Sequence, residues 1–443
     1  EDEMNFKNYR TIDMQECKVA AVNVIPAPPY RLAVLCTENS NYEYIRLLGD
    51  VNKGENVMSV DLLAHKIEKG TQPVFIDINS DTYIDFIYNT NSVRSEDNIR
   101  VAIYNTKTQT YESNTLGFLG TYVYENKEVG CLSVSDKLSH KLSKPSFSYL
   151  IDVNSDCVPD LYLMTTDDKD AYGLMFIATR IREESRESLK YCLVEVENLS
   201  KANYTSPVFA DFNNDAAIDK ALYKNGDNAI HVFYNIRGAN SASSNNLCKD
   251  IPTIVDNSPA GYFDGYQIFS TEPDVVTLRG VKGLYSNSSI ESFIPGQLRA
   301  GDLDSNSYPD IVATFETTEG KPKTVVLVNT ECKSSVSHSV GRVLESKCSE
   351  RTFDTSNEYD KLSEYDGIMY AFMLDLDDNG RMDFITITET ENKTSKVVSF
   401  YNNYSRDSYY ITASTFTAAD KSFGNKVYAI SYRGIYTTLS DSK

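Results

Sequence analysis

Short apolar runs alternate with polar turns along this chain, and long helical patterns are scarce. Val, Ile, Phe, Tyr and Thr, the residues that favour β-strands, fill runs such as RVAIYNT, GLMFIATRI, AIHVFYNI, TVVLVNT and KVVSFYN. The charged patch IREESRES is a candidate for a loop or a short turn of helix. The pattern therefore predicts an all-β chain of many short strands.

One acidic loop recurs between pairs of these apolar runs. It obeys the pattern D-x-[DN]-x-[DN]-x-x-x-D, and we number its positions 1 to 9. Loops 1 to 5 are DINSDTYID from Asp77, DVNSDCVPD from Asp152, DFNNDAAID from Asp211, DLDSNSYPD from Asp302 and DLDDNGRMD from Asp375. Five copies of one spacing predict a repeated supersecondary unit.

A unit of about four strands, repeated with little helix, predicts a β-propeller. The runs VAAVNVI, YRLAVLC and YEYIRLL precede loop 1 and predict one blade without an acidic loop, which gives six blades. The interval between loops 3 and 4 has room for another in TIVDNSPAGYFDGYQIFSTEPDVVTLRG. We therefore expect seven blades within residues 1–425, with six as the alternative. Residues 426–443 are expected to lead into a following domain.

Oxygen-bearing side chains stand at positions 1, 3, 5 and 9 of every loop. With a backbone carbonyl at position 7, this spacing suits a hard cation of the size of Ca²⁺. The predicted ligands are Asp77, Asn79, Asp81, Asp85, Asp152, Asn154, Asp156, Asp160, Asp211, Asn213, Asp215, Asp219, Asp302, Asp304, Asn306, Asp310, Asp375, Asp377, Asn379 and Asp383. We expect up to five structural Ca²⁺ ions as the only cofactors.

Three other interpretations of the loops are an EF-hand, metal-free polar turns and a catalytic role. An EF-hand needs Glu at position 12, where this chain has Tyr88, Leu163, Leu222, Ala313 and Thr386. Asp and Asn also form turns without a metal, and paired carboxylates can act as acid and base; five equivalent copies favour a metal-binding scaffold over both. Position 6 favours Gly because the chain turns sharply there. Gly380 meets this need in loop 5, where calcium is therefore expected most securely.

Composition and charge argue against some classes of protein and favour others. A formal net charge of −20 argues against nucleic-acid binding, which needs clustered Lys and Arg. No stretch approaches the roughly 18 consecutive apolar residues of a membrane span. Eight cysteines without a C-x-x-C pair favour disulfides in an oxidising compartment, with Cys17–Cys36 and Cys332–Cys348 as the sequence-local pairs. Five N-x-S/T sequons permit glycosylation.

The loops and their flanks carry a family resemblance. At the loops the sequence resembles the FG-GAP repeats of the integrin α-subunit propeller, without the Phe-Gly and Gly-Ala-Pro elements. PGQLRAGDLDSNSYPD and YAFMLDLDDNGRMDFITIT are more similar to the T-cell immunomodulatory protein (linkin) family. That resemblance implies a secreted or membrane-anchored extracellular propeller in cell adhesion and surface signalling. In that family a further β-rich region and a membrane span follow the propeller.

No catalytic motif stands out, so we expect a binding protein and not an enzyme. The four histidines, His65, His140, His231 and His338, lie outside any metal or nucleophile motif, and no P-loop, Rossmann or G-x-S-x-G pattern occurs. The expected function is calcium-stabilised recognition of a protein partner at the cell surface, with membrane attachment only through a C-terminal anchor. A carbohydrate-binding propeller is the alternative, with tyrosines in YNNYSRDSYY and AGYFDGYQIF as candidate recognition clusters.

Overall fold

The structure is a computed structural model of the chain. It describes residues 9–14, 18–24, 32–37, 42–48, 58–59, 67–68, 71, 73–76, 78, 83, 85–89, 99–105, 108, 110–114, 116, 121–124, 127–132, 141–143, 147–154, 159–167, 169–183, 186–215, 217–236, 268–286, 296–332, 351–354, 367–376, 381–389 and 395–402. Within these residues there are 29 strands and one four-residue helix, Leu199–Ala202. The prediction of an all-β chain is confirmed.

The chain divides into two compact units. Unit 1 comprises Glu1–Asp61, Ser200–Asn235 and Phe269–Tyr410. Unit 2 comprises Leu62–Leu199, Ile236–Ile268 and Ile411–Lys443. Acidic loops 3, 4 and 5 belong to unit 1, and loops 1 and 2 belong to unit 2.

Unit 1 begins with strand β1 and a first antiparallel sheet. Strand β1 is Tyr9–Met14, and the sheet has β2 (Lys18–Val24), β3 (Leu32–Thr37), β4 (Tyr42–Leu48) and β5 (Met58–Ser59). Its strands pair in the order β2-β3-β4-β5. These are the apolar runs that precede loop 1, so the expected sheet without an acidic loop is present.

Unit 2 contains the strands around loops 1 and 2. After β6 (Ile67–Glu68), the loop-1 sheet has β7 (Val74–Ile76), β8 (Asp85–Asn89), β9 (Ile99–Asn105) and β10 (Thr110–Asn114). Strands β11 (Thr121–Tyr124) and β12 (Lys127–Gly130) form a two-stranded sheet. The loop-2 sheet has β13 (Lys141–Leu142), β14 (Tyr149–Ile151), β15 (Asp160–Thr166), β16 (Ala171–Glu183) and β17 (Arg186–Asn198).

The remaining strands of unit 1 form three sheets, one for each of its acidic loops. The loop-3 sheet has β18 (Tyr204–Ala210), β19 (Asp219–Lys224), β20 (Ala229–Phe233) and β21 (Asp274–Thr277). The loop-4 sheet has β22 (Val281–Leu284), β23 (Arg299–Gly301), β24 (Asp310–Thr317), β25 (Pro322–Glu331) and β26 (Arg351–Asp354). The loop-5 sheet has β27 (Ile368–Leu374), β28 (Asp383–Glu389) and β29 (Ser395–Phe400).

Strand β1 completes the loop-5 sheet. It pairs antiparallel with β29 in a register that runs from Tyr9 opposite Phe400 to Met14 opposite Ser395. The earliest described strand and the latest one therefore share a sheet. Repeated four-stranded antiparallel sheets are the blades of β-propellers, and the strand arrangement of the described chain is of this type.

The blade count differs from the expected seven. In the described part of the chain there are six sheets of four or five strands and the two-stranded β11–β12 pair. The segment expected to hold an extra blade instead supplies β21, whose Val276 lies opposite Ile230 of β20. The apolar run around Val276 is thus the fourth strand of the loop-3 sheet, and residues 237–267 lie outside the described ranges.

Strand β24 of the loop-4 sheet is buried on both of its faces within unit 1. Ile311, Ala313 and Phe315 of β24 belong to one apolar cluster with Phe212 of loop 3. Val312, which points to the opposite face of the same strand, belongs to a second cluster with Phe384 of the loop-5 sheet. Loops 3, 4 and 5 are therefore positioned by sheets that pack directly on one another.

Candidate metal centre

The position-9 aspartate opens a strand in all five loops. Asp85, Asp160, Asp219, Asp310 and Asp383 are the first residues of β8, β15, β19, β24 and β28. All five are completely buried, at 0% exposure. A buried carboxylate needs hydrogen bonds or a counter-charge to offset the loss of hydration, and the structure shows which groups supply the hydrogen bonds.

Each of these carboxylates accepts the same two backbone hydrogen bonds. Oδ2 accepts the N–H of position 2 in its own loop, from Ile78 (3.1 Å), Val153 (3.0 Å), Phe212 (2.9 Å), Leu303 (2.9 Å) and Leu376 (2.9 Å). Oδ1 accepts the N–H of a residue 16 to 19 positions later, from Tyr104 (2.7 Å), Ala178 (2.8 Å), Asn235 (2.8 Å), Asn329 (2.8 Å) and Asn402 (2.8 Å). The aspartate thus ties its loop to a later part of the same sheet.

In loop 4 the carboxylates converge. One oxygen from each of Asp302, Asp304 and Asp310 lies within 4.8 Å of the others. Oxygens that share one Ca²⁺ at about 2.3–2.6 Å lie no more than roughly 5 Å apart, so the three residues fit a calcium ion. Asp302 and Asp304 are partly exposed, which leaves this side of the loop open to solvent.

Backbone N–H groups hold the first part of loop 4 in a tight turn. The Asn306 N–H donates to Asp302 Oδ1 (3.0 Å) and to Asp304 Oδ1 (3.2 Å). The Tyr308 N–H donates to Asn306 Oδ1 at 2.7 Å. These bonds explain why Asp and Asn recur at alternate positions, since each side chain stabilises the backbone two or four residues later.

Loop 3 has the same backbone turn. The Asp215 N–H donates to Asp211 Oδ1 (3.0 Å) and to Asn213 Oδ1 (3.3 Å), and the Ala217 N–H donates to Asp215 Oδ1 (2.9 Å). Although all four predicted ligands of loop 3 are described, its three carboxylates do not reach the mutual spacing found in loop 4. The two loops therefore share the turn and differ in how closely their acids approach one another.

The backbone reverses at positions 4 and 6. Asn214 and Ser305, both at position 4, have φ angles of 60° and 56°. Ser307, at position 6 of loop 4, has a φ angle of 73°. The sequence indicated a sharp turn at position 6, and loop 4 makes it with Ser in the left-handed region that Gly occupies most easily.

The other loops are described in part. Asp85 of loop 1, Asp152, Asn154 and Asp160 of loop 2, and Asp375 and Asp383 of loop 5 are among the described residues. The remaining predicted ligands, Asp77, Asn79, Asp81, Asp156, Asp377 and Asn379, lie outside them, as does Gly380. The expectation that loop 5 is the most secure calcium site stays a prediction.

Burial makes the ionised form of the position-9 carboxylate costly. It raises the pKa of Asp219 to about 8 and the pKa of Asp310 to about 7, against a common value of 3.8. The neighbouring carboxylates, Asp302 and Asp304 in the case of Asp310, raise it further, whereas the two backbone donors lower it. A bound cation would favour the ionised carboxylate, because opposite charge stabilises it.

In EDTA, we expect the unfolding free energy of the chain to fall as the pH rises from about 4 to 8. The pKa of Asp310 is higher in the folded chain than in the unfolded one, so the folded state binds more protons in this window. Urea denaturation at pH 5, 6.5 and 8 measures the slope. The variant Asp310→Asn cannot titrate and should have a shallower slope; an unchanged slope would contradict the assignment.

An arginine from outside loop 4 packs against it. Arg351 of β26 is buried, and its Nε donates to Asn329 Oδ1 at 2.9 Å. Its guanidinium carbon lies 3.6 Å from the ring centroid of Tyr308, the position-7 residue of loop 4. Arg351 therefore contacts both the side chain at position 7 and the residue that donates to Asp310. Its role could not be predicted from the sequence, because nothing in the local pattern distinguishes this arginine from others.

Tyrosines cluster on the loop-1 sheet, in unit 2. Tyr83, at position 7 of loop 1, is 47% exposed and stacks on Tyr104 with ring centroids 5.2 Å apart. Tyr104 in turn meets Tyr111 edge to face at 5.2 Å. The expected tyrosine clusters YNNYSRDSYY and AGYFDGYQIF lie mostly outside the described residues.

A disulfide joins distant parts of unit 2. Cys131 is bonded to Cys192 of β17, across a separation of 61 residues. Cys332 is disulfide-bonded as well. The prediction of disulfides is confirmed, but the sequence did not identify the Cys131–Cys192 pair. Cys17 and Cys348, members of the two expected local pairs, lie outside the described residues.

Comparison with known proteins tests the family resemblance. The chain is 24% identical over 294 residues to a T-cell immunomodulatory protein homolog of Plasmodium yoelii yoelii, a match that covers 61% of this chain and 40% of that protein. The predicted resemblance to the T-cell immunomodulatory protein family is confirmed. The homolog of Plasmodium falciparum (isolate 3D7) is 24% identical over 321 residues, which cover 67% of this chain and 42% of that protein. The chain thus spans about two fifths of the length of these relatives.

The comparisons with protein-family models and with solved structures found no match and a weak match, respectively. No protein-family model matches the chain, so the similarity to FG-GAP repeats rests on the loops alone. Among solved structures, extracellular domains 1–2 of Drosophila Semaphorin 1a match 90% of this chain and 88% of theirs, at 10% identity and a TM-score of 0.30. In the described residues, no helix is long and apolar enough to cross a membrane.

Proposed function

We propose that this chain is a calcium-stabilised β-propeller that recognises a protein partner outside the cell or at its surface. The observation that carries the calcium part is loop 4, where three carboxylates converge to within 4.8 Å at the junction of two strands. Asp302, Asp304 and Asp310 would hold the ion there. The ion would offset the repulsion among their charges and fix the junction, so its role would be structural.

The extracellular setting is supported by two observations. Disulfides such as Cys131–Cys192 persist in oxidising compartments and are rare in the cytosol. The curated relatives are named T-cell immunomodulatory protein homologs, and a protein that modulates T cells would act outside the cell that makes it. A protein partner and attachment to the membrane belong to the same proposal.

A role in binding, and not in catalysis, belongs to the same proposal. His231, the histidine in the described part of the chain, is engaged by Tyr204, whose Oη lies 2.9 Å from His231 Nδ1. Burial, and then the nearby charge of Lys224, lower the pKa of His231. The acids of the five loops occupy equivalent strand junctions, an arrangement suited to a scaffold.

The calcium proposal is tested by unfolding the purified chain in EDTA and in millimolar CaCl₂, with MgCl₂ as the control. A site with Ca²⁺ at about 100 to 1,000 times its dissociation constant gains roughly 3–4 kcal/mol. We expect calcium, but not magnesium, to raise the melting temperature by several degrees. The variant Asp302→Asn should reduce the rise. Equal melting temperatures in EDTA and CaCl₂ would show the loops to be polar turns without a metal.

Carbohydrate binding is the second candidate, and the exposed Tyr83 favours it. A stacked pair of tyrosine rings with one partly exposed member offers the flat apolar surface on which sugar rings pack. A glycan screen with the wild-type chain and Tyr83→Ala separates the candidates. Glycan binding that the variant loses would support a lectin, whereas a protein partner that free sugar does not displace would support adhesion.

A further inference from the structure

Two asparagines connect the three acidic loops of unit 1. Asn329 follows loop 4 and Asn402 follows loop 5, each 19 residues after the position-9 aspartate of its own loop. Their backbone N–H groups donate to Asp310 and Asp383. Both side chains are almost wholly buried, with 1% of their surface exposed. Their amide groups therefore have to find partners inside the protein.

Each asparagine amide bridges two loops. Asn402 Nδ2 donates to Met382 O in its own loop 5 (3.1 Å) and to Leu303 O in loop 4 (3.0 Å). Leu303 is the position-2 residue whose N–H donates to Asp310. One buried side chain thus reaches from the junction of the loop-5 sheet to the junction of the loop-4 sheet.

Asn329 repeats the arrangement one sheet earlier. Its Nδ2 donates to Pro309 O in its own loop 4 (3.1 Å) and to Phe212 O in loop 3 (2.9 Å). Phe212 is again the position-2 residue, and its N–H donates to Asp219. The same atoms at the same positions therefore connect loop 3 to loop 4 and loop 4 to loop 5.

The connections form one continuous relay of hydrogen bonds. It runs through Asp383, Asn402, Leu303, Asp310, Asn329, Phe212 and Asp219, and every member is at most 1% exposed. Buried hydrogen bonds in a chain strengthen one another, and removal of one leaves others unsatisfied. The middle loop is held from both sides, since Asn402 contacts its position 2 and Asn329 its position 8.

We propose that Asn329 and Asn402 couple loops 3, 4 and 5, so that order imposed on one loop, by a bound Ca²⁺ or by its own hydrogen bonds, stabilises its neighbours. Coupling that is driven by bound Ca²⁺ rests on the proposed function. Coupling through the hydrogen bonds alone does not. The two asparagines are positioning residues, because their amide groups donate to backbone carbonyls of the loops. By linkage the coupling is reciprocal.

Native-state hydrogen exchange of the full chain in EDTA tests the coupling without a metal. In Asn402→Ala, the protection of the Leu303 amide should fall about fivefold or more, within the usual range of coupling between sites. The amides of β25 should change less. The matched control Val397→Ala removes buried apolar atoms from the same loop-5 sheet without touching the relay, and should leave the ratio of Leu303 to β25 protection unchanged.

Failure of the coupling and failure of calcium binding give different results in this experiment. An Asn402→Ala effect confined to loop 5, with Leu303 protected as in the wild type, would overturn the proposal. Should that variant not fold, Asn402→Ser, which keeps a shorter donor, is measured in its place. In the wild type, CaCl₂ should raise the protection of the Leu376 and Leu303 amides by similar factors. In the variant, these two factors should differ. No response to CaCl₂ in either protein, with the EDTA result intact, would refute calcium binding and leave the coupling supported.

Discussion

Replacement of Asp310 by Ala should lower the free energy of unfolding in EDTA by about 2–6 kcal/mol. The change leaves the N–H groups of Leu303 and Asn329 buried without their acceptor, and each such group costs about 1–3 kcal/mol. Because the geometry recurs, Asp219→Ala and Asp383→Ala should have effects of the same size. Urea denaturation in EDTA measures all three, and the absence of calcium keeps metal binding out of the comparison.

The matched control is Asp304→Ala in the same loop. Asp304 is partly exposed, and its carboxylate accepts hydrogen bonds from the backbone and side chain of Asn306, which water can replace. We expect this variant to lose less than about 1 kcal/mol in EDTA. Similar losses for Asp304→Ala and Asp310→Ala would mean that the position-9 aspartate has no special structural role.

Removal of the Cys131–Cys192 disulfide should lower the unfolding free energy by about 4 kcal/mol. The bond closes a long segment of chain, and cross-linking residues 61 apart removes that much loop entropy from the unfolded state. The double variant Cys131→Ala with Cys192→Ala, unfolded in urea beside the wild type, measures the effect. Tertiary contacts of unit 2 alone would then have to bring β17 and residue 131 together.

A second double variant separates the cross-link from packing. Cys131 and Cys192 are both buried, at 8% and 0% exposure, so alanine also removes packed atoms. Valine at both positions restores most of the volume without the bond. If the disulfide acts as a cross-link, the valine pair should be nearly as unstable as the alanine pair. Recovery of wild-type stability with valine would assign the effect to packing.

The strands of unit 1 were predictable from the sequence because the alternation that forms them involves neighbouring residues. The apolar runs TVVLVNT and KVVSFYN correspond to β25 and β29, since alternating residues on a strand face opposite sides of a sheet. Each acidic loop was placed correctly at a strand junction. The seven-blade prediction was wrong because the run around Val276 joined an existing sheet, a choice that local pattern does not reveal.

The roles within the candidate site were only partly predictable. Asp302, Asp304 and Asp310 were chosen as ligands from their spacing, and the structure brings all three together. The second role of Asp310, as acceptor for Asn329, was not foreseen, although Asn recurs at the end of the runs VFYN, VLVN and SFYN. That recurrence was the available signal for Asn329 and Asn402.

The strands and the five acidic loops at their junctions follow from the amino-acid sequence, because apolar alternation and loop spacing act over a few residues. The contacts of Asn402 with loop 4, of Arg351 with Tyr308 and of Cys131 with Cys192 arise instead from tertiary packing. These contacts join residues that are far apart along the chain. They depend on how one sheet packs on the next, which no local periodicity specifies.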